Sequence, residues 1–138
     1  MTPRTTVRLF LTAAGFYDGI LGALFLLVAP RIFSLAGIPV PSHWGYVHFG
    51  AALLLIFALM FFAAAIQPAG NRNLVAFGML LKIAYVSVVV NEWLHGSIPP
   101  IFLLFALFDV VWFFLLAWSF YIVGRPVAAP AAAASPIP

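Results

Sequence analysis

The chain has 138 residues, of which 66% are hydrophobic and only 7% charged, against about 45–50% and about 25% in an ordinary soluble domain. Six Lys+Arg and three Asp+Glu cannot cover a globule that also holds 15 Phe and 4 Trp, so a soluble enzyme is excluded. The net charge of +3 is scattered along the chain with no basic stripe, which excludes nucleic acid as a partner, and the lack of cysteine removes disulfides, thiolate metal sites and cysteine nucleophiles.

A membrane-spanning helix needs about 20 consecutive, mainly apolar residues. Pro, Gly and Asn clusters cut this chain into four such runs, at residues 7–29, 43–66, 74–95 and 101–123. The first carries Gly15, Asp18, Gly19 and Gly22 on one stripe, and Gly15 and Gly19 have the GxxxG spacing that lets helices approach closely. This run is too long for a signal-peptide core and has an acid at its middle, so a retained span is expected. Pro30 ends it. Residues 31–37 are too short to span and read equally as an interfacial turn or as an ordinary loop.

The second run follows Pro39 and Pro41 and opens with His43, Trp44, Tyr46 and His48. Residues 67–73 separate it from the third run, in which Gly78, Lys82, Tyr85, Val89 and Glu92 recur at helical spacing and share a stripe. The fourth run, after Pro99 and Pro100, contains Asp109 among Phe102, Phe105, Phe108, Phe113 and Phe114. These rings are expected to pack against lipid and neighbouring helices rather than form a pocket. Residues 124–138 are an Ala/Pro-rich run, expected to be a disordered cytoplasmic tail.

The fold class is therefore all-α: one integral membrane four-helix bundle over residues 1–123, running up-down-up-down. Four spans put both termini on one side. Arg4, Arg8, Arg72 and Arg125 lie there against Arg31 on the other, so the positive-inside rule places both termini in the cytoplasm; the expected location is the inner (plasma) membrane.

An ionised group near the bilayer centre costs about 2.5–3.5 kcal/mol, so such groups face the bundle interior and pair. At 1.5 Å per residue, Asp18 lies about 16 Å from its end of the membrane, and Lys82 and Asp109 each about 12 Å deep from opposite ends. A lysine stem bridges the remaining offset. The expectation is a buried cluster with Lys82 between Asp18 and Asp109, and with Tyr85 donating into it. Such a cluster is either structural or a ligand or proton site; two carboxylates against one lysine leave one acid in excess.

A second polar group, His43, His48, Glu92 and His95, is expected at the outer face. Glu92 and His95 have the Glu-x-x-His spacing of carboxylate-bridged metal sites. A di-iron centre needs three more glutamates than the chain has to offer beside them, so these residues read as interfacial polar side chains and no metal is expected.

Gly15, Gly19 and Gly22 with an acid in the first helix, a Pro-rich outer loop, the Asn71-Arg72 turn after the second helix and a polar third helix make the chain similar to the DoxX-like superfamily of small bacterial four-helix inner-membrane proteins. The resemblance covers roughly residues 10–123. It implies an inner-membrane bundle of a group that includes subunits associated with thiosulfate and quinone chemistry. With no cysteine, no thiol step carries over. The functional expectation is a non-catalytic module packing as an accessory subunit or small oligomer against other membrane subunits, with the lipid bilayer as its other partner and no cofactor. The alternative is a binder, carrier or enzyme for a quinone- or isoprenoid-like apolar lipid that uses the Asp18, Lys82 and Asp109 cluster.

Overall fold

The computed structural model describes residues 2–96 and 98–125, so the tail expected to be disordered lies, from residue 126 onward, outside the described residues. Among the described residues the chain is all-helical: α1 (Pro3–Leu27), α2 (Ala29–Leu35), α3 (Gly45–Ile66), α4 (Arg72–Leu94) and α5 (Pro100–Val123). Four of these, α1, α3, α4 and α5, are long and apolar enough to cross a membrane.

Local chemistry sets the ends. The Thr2 hydroxyl accepts from the Thr5 amide at 3.3 Å and Pro3 fills the first turn, so α1 begins earlier than the expected residue 7. It also stops earlier than the expected residue 29. Pro30 has no amide to donate and its ring crowds the preceding turn, and the chain breaks at Val28 (φ −133°). The segment left open as turn or loop is the short helix α2, which buries Ala29 and Phe33 while Leu35 is 86% exposed. Its end is a Schellman motif: the Ile38 amide donates to the Phe33 carbonyl at 2.8 Å and the Gly37 amide to that of Ser34 at 3.3 Å, which requires the positive φ (63°) of Gly37.

At the opposite end of the bundle, Asn71 and Arg72 each cap a different helix. Asn71 Nδ2 donates to the Ala63 carbonyl of α3 at 3.2 Å, and Arg72 Nε to the Phe120 carbonyl of α5 at 3.1 Å. The Arg72 guanidinium also lies 3.7 Å from the centroid of the Phe120 ring. These carbonyls also accept the C-cap amides of Gln67 and Gly124, at 3.4 and 3.2 Å, so the side chains add a second donor to each last turn.

Short connections make successive spans antiparallel, the up-down-up-down order. α1 packs extensively on α3, and α4 on α5, whereas the two pairs meet more sparsely, along α1–α5 and α3–α4. α1 and α4 therefore stand at opposite corners. In the half nearer the termini, Val7, Leu11, Ala14, Phe61, Ala64, Val75 and Leu116 form a fully buried core. Leucines and aromatics such as Leu27, Leu59, Leu107 and Phe114 cover the outside, as a hydrocarbon solvent requires.

The α1–α3 contact depends on small residues. A Cβ on Gly22 would sit 2.8 Å from the Ala51 carbonyl oxygen, and one on Gly15 2.7 Å from the Phe62 ring, whereas one on Gly19 would meet only the Ala58 methyl at 3.4 Å. The backbone oxygen cannot swing aside. Gly22→Ala is accordingly expected to lower stability by about 1–3 kcal/mol, while Gly19→Ala leaves it unchanged or raises it slightly through helix propensity. Denaturant unfolding of both variants in detergent micelles checks this, and equal effects would refute the packing account.

Candidate functional site: a buried ion triad beneath an apolar cavity

Three helices bring their single charged interior residue to one point near mid-depth. Lys82 Nζ of α4 donates to Asp18 Oδ1 of α1 at 2.6 Å and lies 3.2 Å from Asp109 Oδ1 of α5. The lysine crosses the bundle diagonally, since α1 and α4 occupy opposite corners. It is able to do so because Gly78, one turn earlier on α4, gives up its side-chain space to the Phe61 ring, and small residues keep the centre narrow.

Burial is nearly complete: the Asp18 and Lys82 side chains are 0% and 1% exposed and that of Asp109 is 8% exposed. Unpaired charges would be prohibitive here, and one partner's loss strands the others. Even so, the hydrogen-bond account does not close. Asp18 Oδ2 and Asp109 Oδ1 accept no hydrogen bond among the described residues; the 3.2 Å approach of Nζ to Asp109 is an ion pair without hydrogen-bond geometry. The ammonium is further flanked by the Tyr17 ring, whose centroid is 5.1 Å from Nζ. Tyr17 in turn packs against Trp112 of α5 at 5.7 Å between centroids.

Above the triad, on the side away from the termini, the bundle is hollow. A cavity of about 480 Å³ runs from Asp18, Lys82 and Asp109 past Tyr17, Leu21, Leu54, Tyr85 and Phe105 to Phe25, Phe33 and Phe102. That volume is within the range of small-molecule sites, about 300–1,000 Å³. Phe33 of α2 meets Phe25 at 6.5 Å and Trp44 at 5.3 Å between centroids, and Trp44 stacks on His48, so aromatic contacts roof its outer end. Exposed residues of α3 (Tyr46, Gly50, Leu53) and α4 (Ala84, Val88) line it as well, which opens its mouth sideways between those two sparsely packed helices.

The structure thus brings Asp18, Lys82 and Asp109 together and sets Tyr85 on the wall of the same cavity, while the hydrogen bond of Lys82 goes to Asp18. Gly15, Gly19 and Gly22 face α3. One expectation is corrected: Phe102 and Phe105 line the cavity, whereas Phe108 and Phe114 are exposed on the outer surface. The outer-face residues make separate local contacts. His95 Nδ1 is 2.6 Å from the Asn91 carbonyl, Asn91 donates to Glu92 at 3.3 Å and His48 stacks on Trp44. Among the described residues no three His, Asp or Glu side chains are grouped to hold a metal.

Tyr17 was not singled out by the sequence. Its neighbour Asp18 was a signal, but adjacent helix positions point about 100° apart, so adjacency alone assigns no shared site. No family model, curated protein or solved structure matches the chain.

Removing the lysine should be costly. Lys82→Met is expected to destabilise the bundle by about 3–5 kcal/mol, because it leaves buried carboxylates without a counter-charge. Adding Asp18→Asn to that variant should recover part of the loss. A double-mutant cycle on micellar unfolding measures it, and additive effects would show that the two side chains are not coupled.

Proposed function

We propose that this membrane protein binds an apolar lipid of quinone or isoprenoid character, as a carrier, binder or enzyme, with the lipid body in the aromatic cavity and its polar head against Asp18, Lys82 and Asp109. The observation that supports this reading is the cavity's two-part chemistry: apolar walls that converge on a buried, incompletely satisfied ion cluster. A lateral mouth between α3 and α4 gives such a ligand access from the membrane itself. Packing against a larger complex, the role of an accessory subunit or oligomer, requires neither a hollow nor charges beneath it, so the lipid reading takes precedence. The likeness to the DoxX-like superfamily belongs to the same proposal, as does placement in a bacterial inner membrane.

Gly50 supplies the test. It lines the cavity and a Cβ built there meets nothing within 4 Å, so a large side chain is accommodated by filling the hollow. Replacing a mid-helix glycine also favours the helix. Native mass spectrometry of protein gently released from its own membrane is expected to show a bound small molecule, lost in Gly50→Trp with folding retained. A stoichiometric partner chain with no small molecule, and no effect of Gly50→Trp, would overturn the reading in favour of an accessory subunit.

The proposed orientation, with both termini cytoplasmic, rests on Arg4, Arg8, Arg72 and Arg125 at one end of the bundle. Because the chain has no cysteine, single introduced thiols report sidedness cleanly. In intact cells a membrane-impermeant maleimide should label Ser42→Cys and spare Ala69→Cys. The reverse pattern would invert the topology.

A further inference from the structure

We infer that the bundle carries a second ligand site at the end nearer the termini, where Arg4 and Arg8 take the phosphate of an anionic lipid from the adjoining leaflet. This site is separate from the larger cavity and does not depend on what occupies it.

A cavity of about 210 Å³ lies at that end, lined by Arg4, Thr5 and Arg8 of α1 and by Gln67 beyond α3, with Val7 of α1 and Val123 of α5 against it. The volume is below the range of about 300–1,000 Å³ of sites that enclose a whole small molecule. It suits a head group whose apolar body stays in the membrane. Arg4 and Arg8 stand four residues apart on α1, so they share one face. Two like charges so placed repel each other, and an anion between them relieves that repulsion.

The charges of the chain leave these two arginines to an outside partner. Of the three acidic side chains, Asp18 and Asp109 hold Lys82 deep in the bundle, and Glu92 stands in the last turn of α4 at the opposite end. Residues 126–138 add none. The other two arginines of this end are engaged: Arg72 donates to the Phe120 carbonyl, and Arg125 Nη2 to the Tyr121 hydroxyl at 2.6 Å. Arg4 and Arg8 make no hydrogen bond or ion pair among the described residues. Guanidinium groups match phosphate oxygens in pairs, the positive pole of α1 adds to the field, and Gln67 offers an amide donor beside them.

The same charges select among lipids. A zwitterionic head also carries a phosphate, but its ammonium would arrive beside two guanidinium groups with no carboxylate to receive it. A head whose only charge is its phosphate meets no such repulsion. Val7 and Val123 favour a lipid over a free ion, because apolar walls shelter the methylenes next to a head group and give a bare phosphate nothing.

The test titrates phosphatidylglycerol, phosphatidylethanolamine with the same acyl chains, and inorganic phosphate into the intact protein in detergent, freed of co-purified lipid, and follows each by native mass spectrometry. Arg4→Gln, Arg8→Gln, Arg31→Gln and Gly50→Trp are compared with the wild type. Arg4 and Arg8 are exposed, so circular dichroism should show the helix content of their variants unchanged. Phosphatidylglycerol is expected to bind about tenfold more tightly than phosphatidylethanolamine, and Arg4→Gln or Arg8→Gln to remove about tenfold of that affinity, the step expected for hydrogen bonds to a charged group. Arg31→Gln, which removes the same charge at the opposite end, should change it by less than about twofold. Gly50→Trp, which fills the other cavity, should leave it unchanged, so this site and the proposed quinone or isoprenoid site stand or fall separately. Equal binding of the two lipids, an equal loss in Arg31→Gln, a loss in Gly50→Trp alone, or no lipid bound would each overturn the inference. Inorganic phosphate bound as tightly as the lipid, and lost in the same two variants, would overturn the lipid assignment in favour of a soluble phosphate.

Discussion

The rest of the structure depends on one ammonium group held between two carboxylates at the centre of a hydrocarbon-solvated bundle. Each of these ions alone costs about 2.5–3.5 kcal/mol near the bilayer middle, so none is tolerable on a helix that turns it outward. Satisfying Lys82 from Asp18 and Asp109 fixes the rotation of α1, α4 and α5 about their own axes and aligns their depths within a side chain's reach. Apolar packing has no such specificity in lipid, where leucine is as comfortable against an acyl chain as against another helix. The diagonal link from α4 to α1 also joins the two tightly packed helix pairs, which otherwise meet along sparse seams.

The triad divides the bundle into unlike halves. Towards the termini, Ala14, Ala64 and Gly78 let helices close around Phe61, and the layer beneath the ions is closely packed. On the other side, α1 and α3 remain in contact through Gly22 and Ala51, but α3 and α4 diverge and the space between the pairs is left to aromatic edges. The α2 helix adds Phe33 to that space and anchors the connection between α1 and α3 across its outer end. A loop of the same length without a buried ring would leave the end open.

Much of this was legible in the sequence, for reasons that can be traced to particular residues. The spans follow from apolar runs cut by prolines, and the depth of Asp18, Lys82 and Asp109 follows from counting at 1.5 Å per residue. Their convergence is then nearly forced by the cost of leaving them in lipid. The cavity was not legible. Phe102 and Phe105 stand seven and four residues before Asp109 and so share its inward face, which Phe108 and Phe114 do not; what spacing could not tell is that the bundle stays hollow in front of them. The place of Tyr17 was hidden for a related reason, since its contact with Lys82 spans the bundle rather than a stretch of sequence. Likewise, the early end of α1 depended on where a single proline acts, one turn behind its own position.

The closely packed layer has a consequence for traffic. Beneath the ions, the fully buried Val7, Leu11, Phe61 and Leu116 stand between the hollow and a smaller cavity of about 210 Å³ that Arg4, Arg8 and Gln67 line at the end nearer the termini, so the hollow is a cul-de-sac and not a tunnel. A lipid bound as proposed would enter between α3 and α4 and leave by the same door, into the leaflet from which it came. Passage to the opposite leaflet would mean dismantling that buried layer, so under the lipid-binding proposal the hollow would serve as a berth on one side of the bilayer.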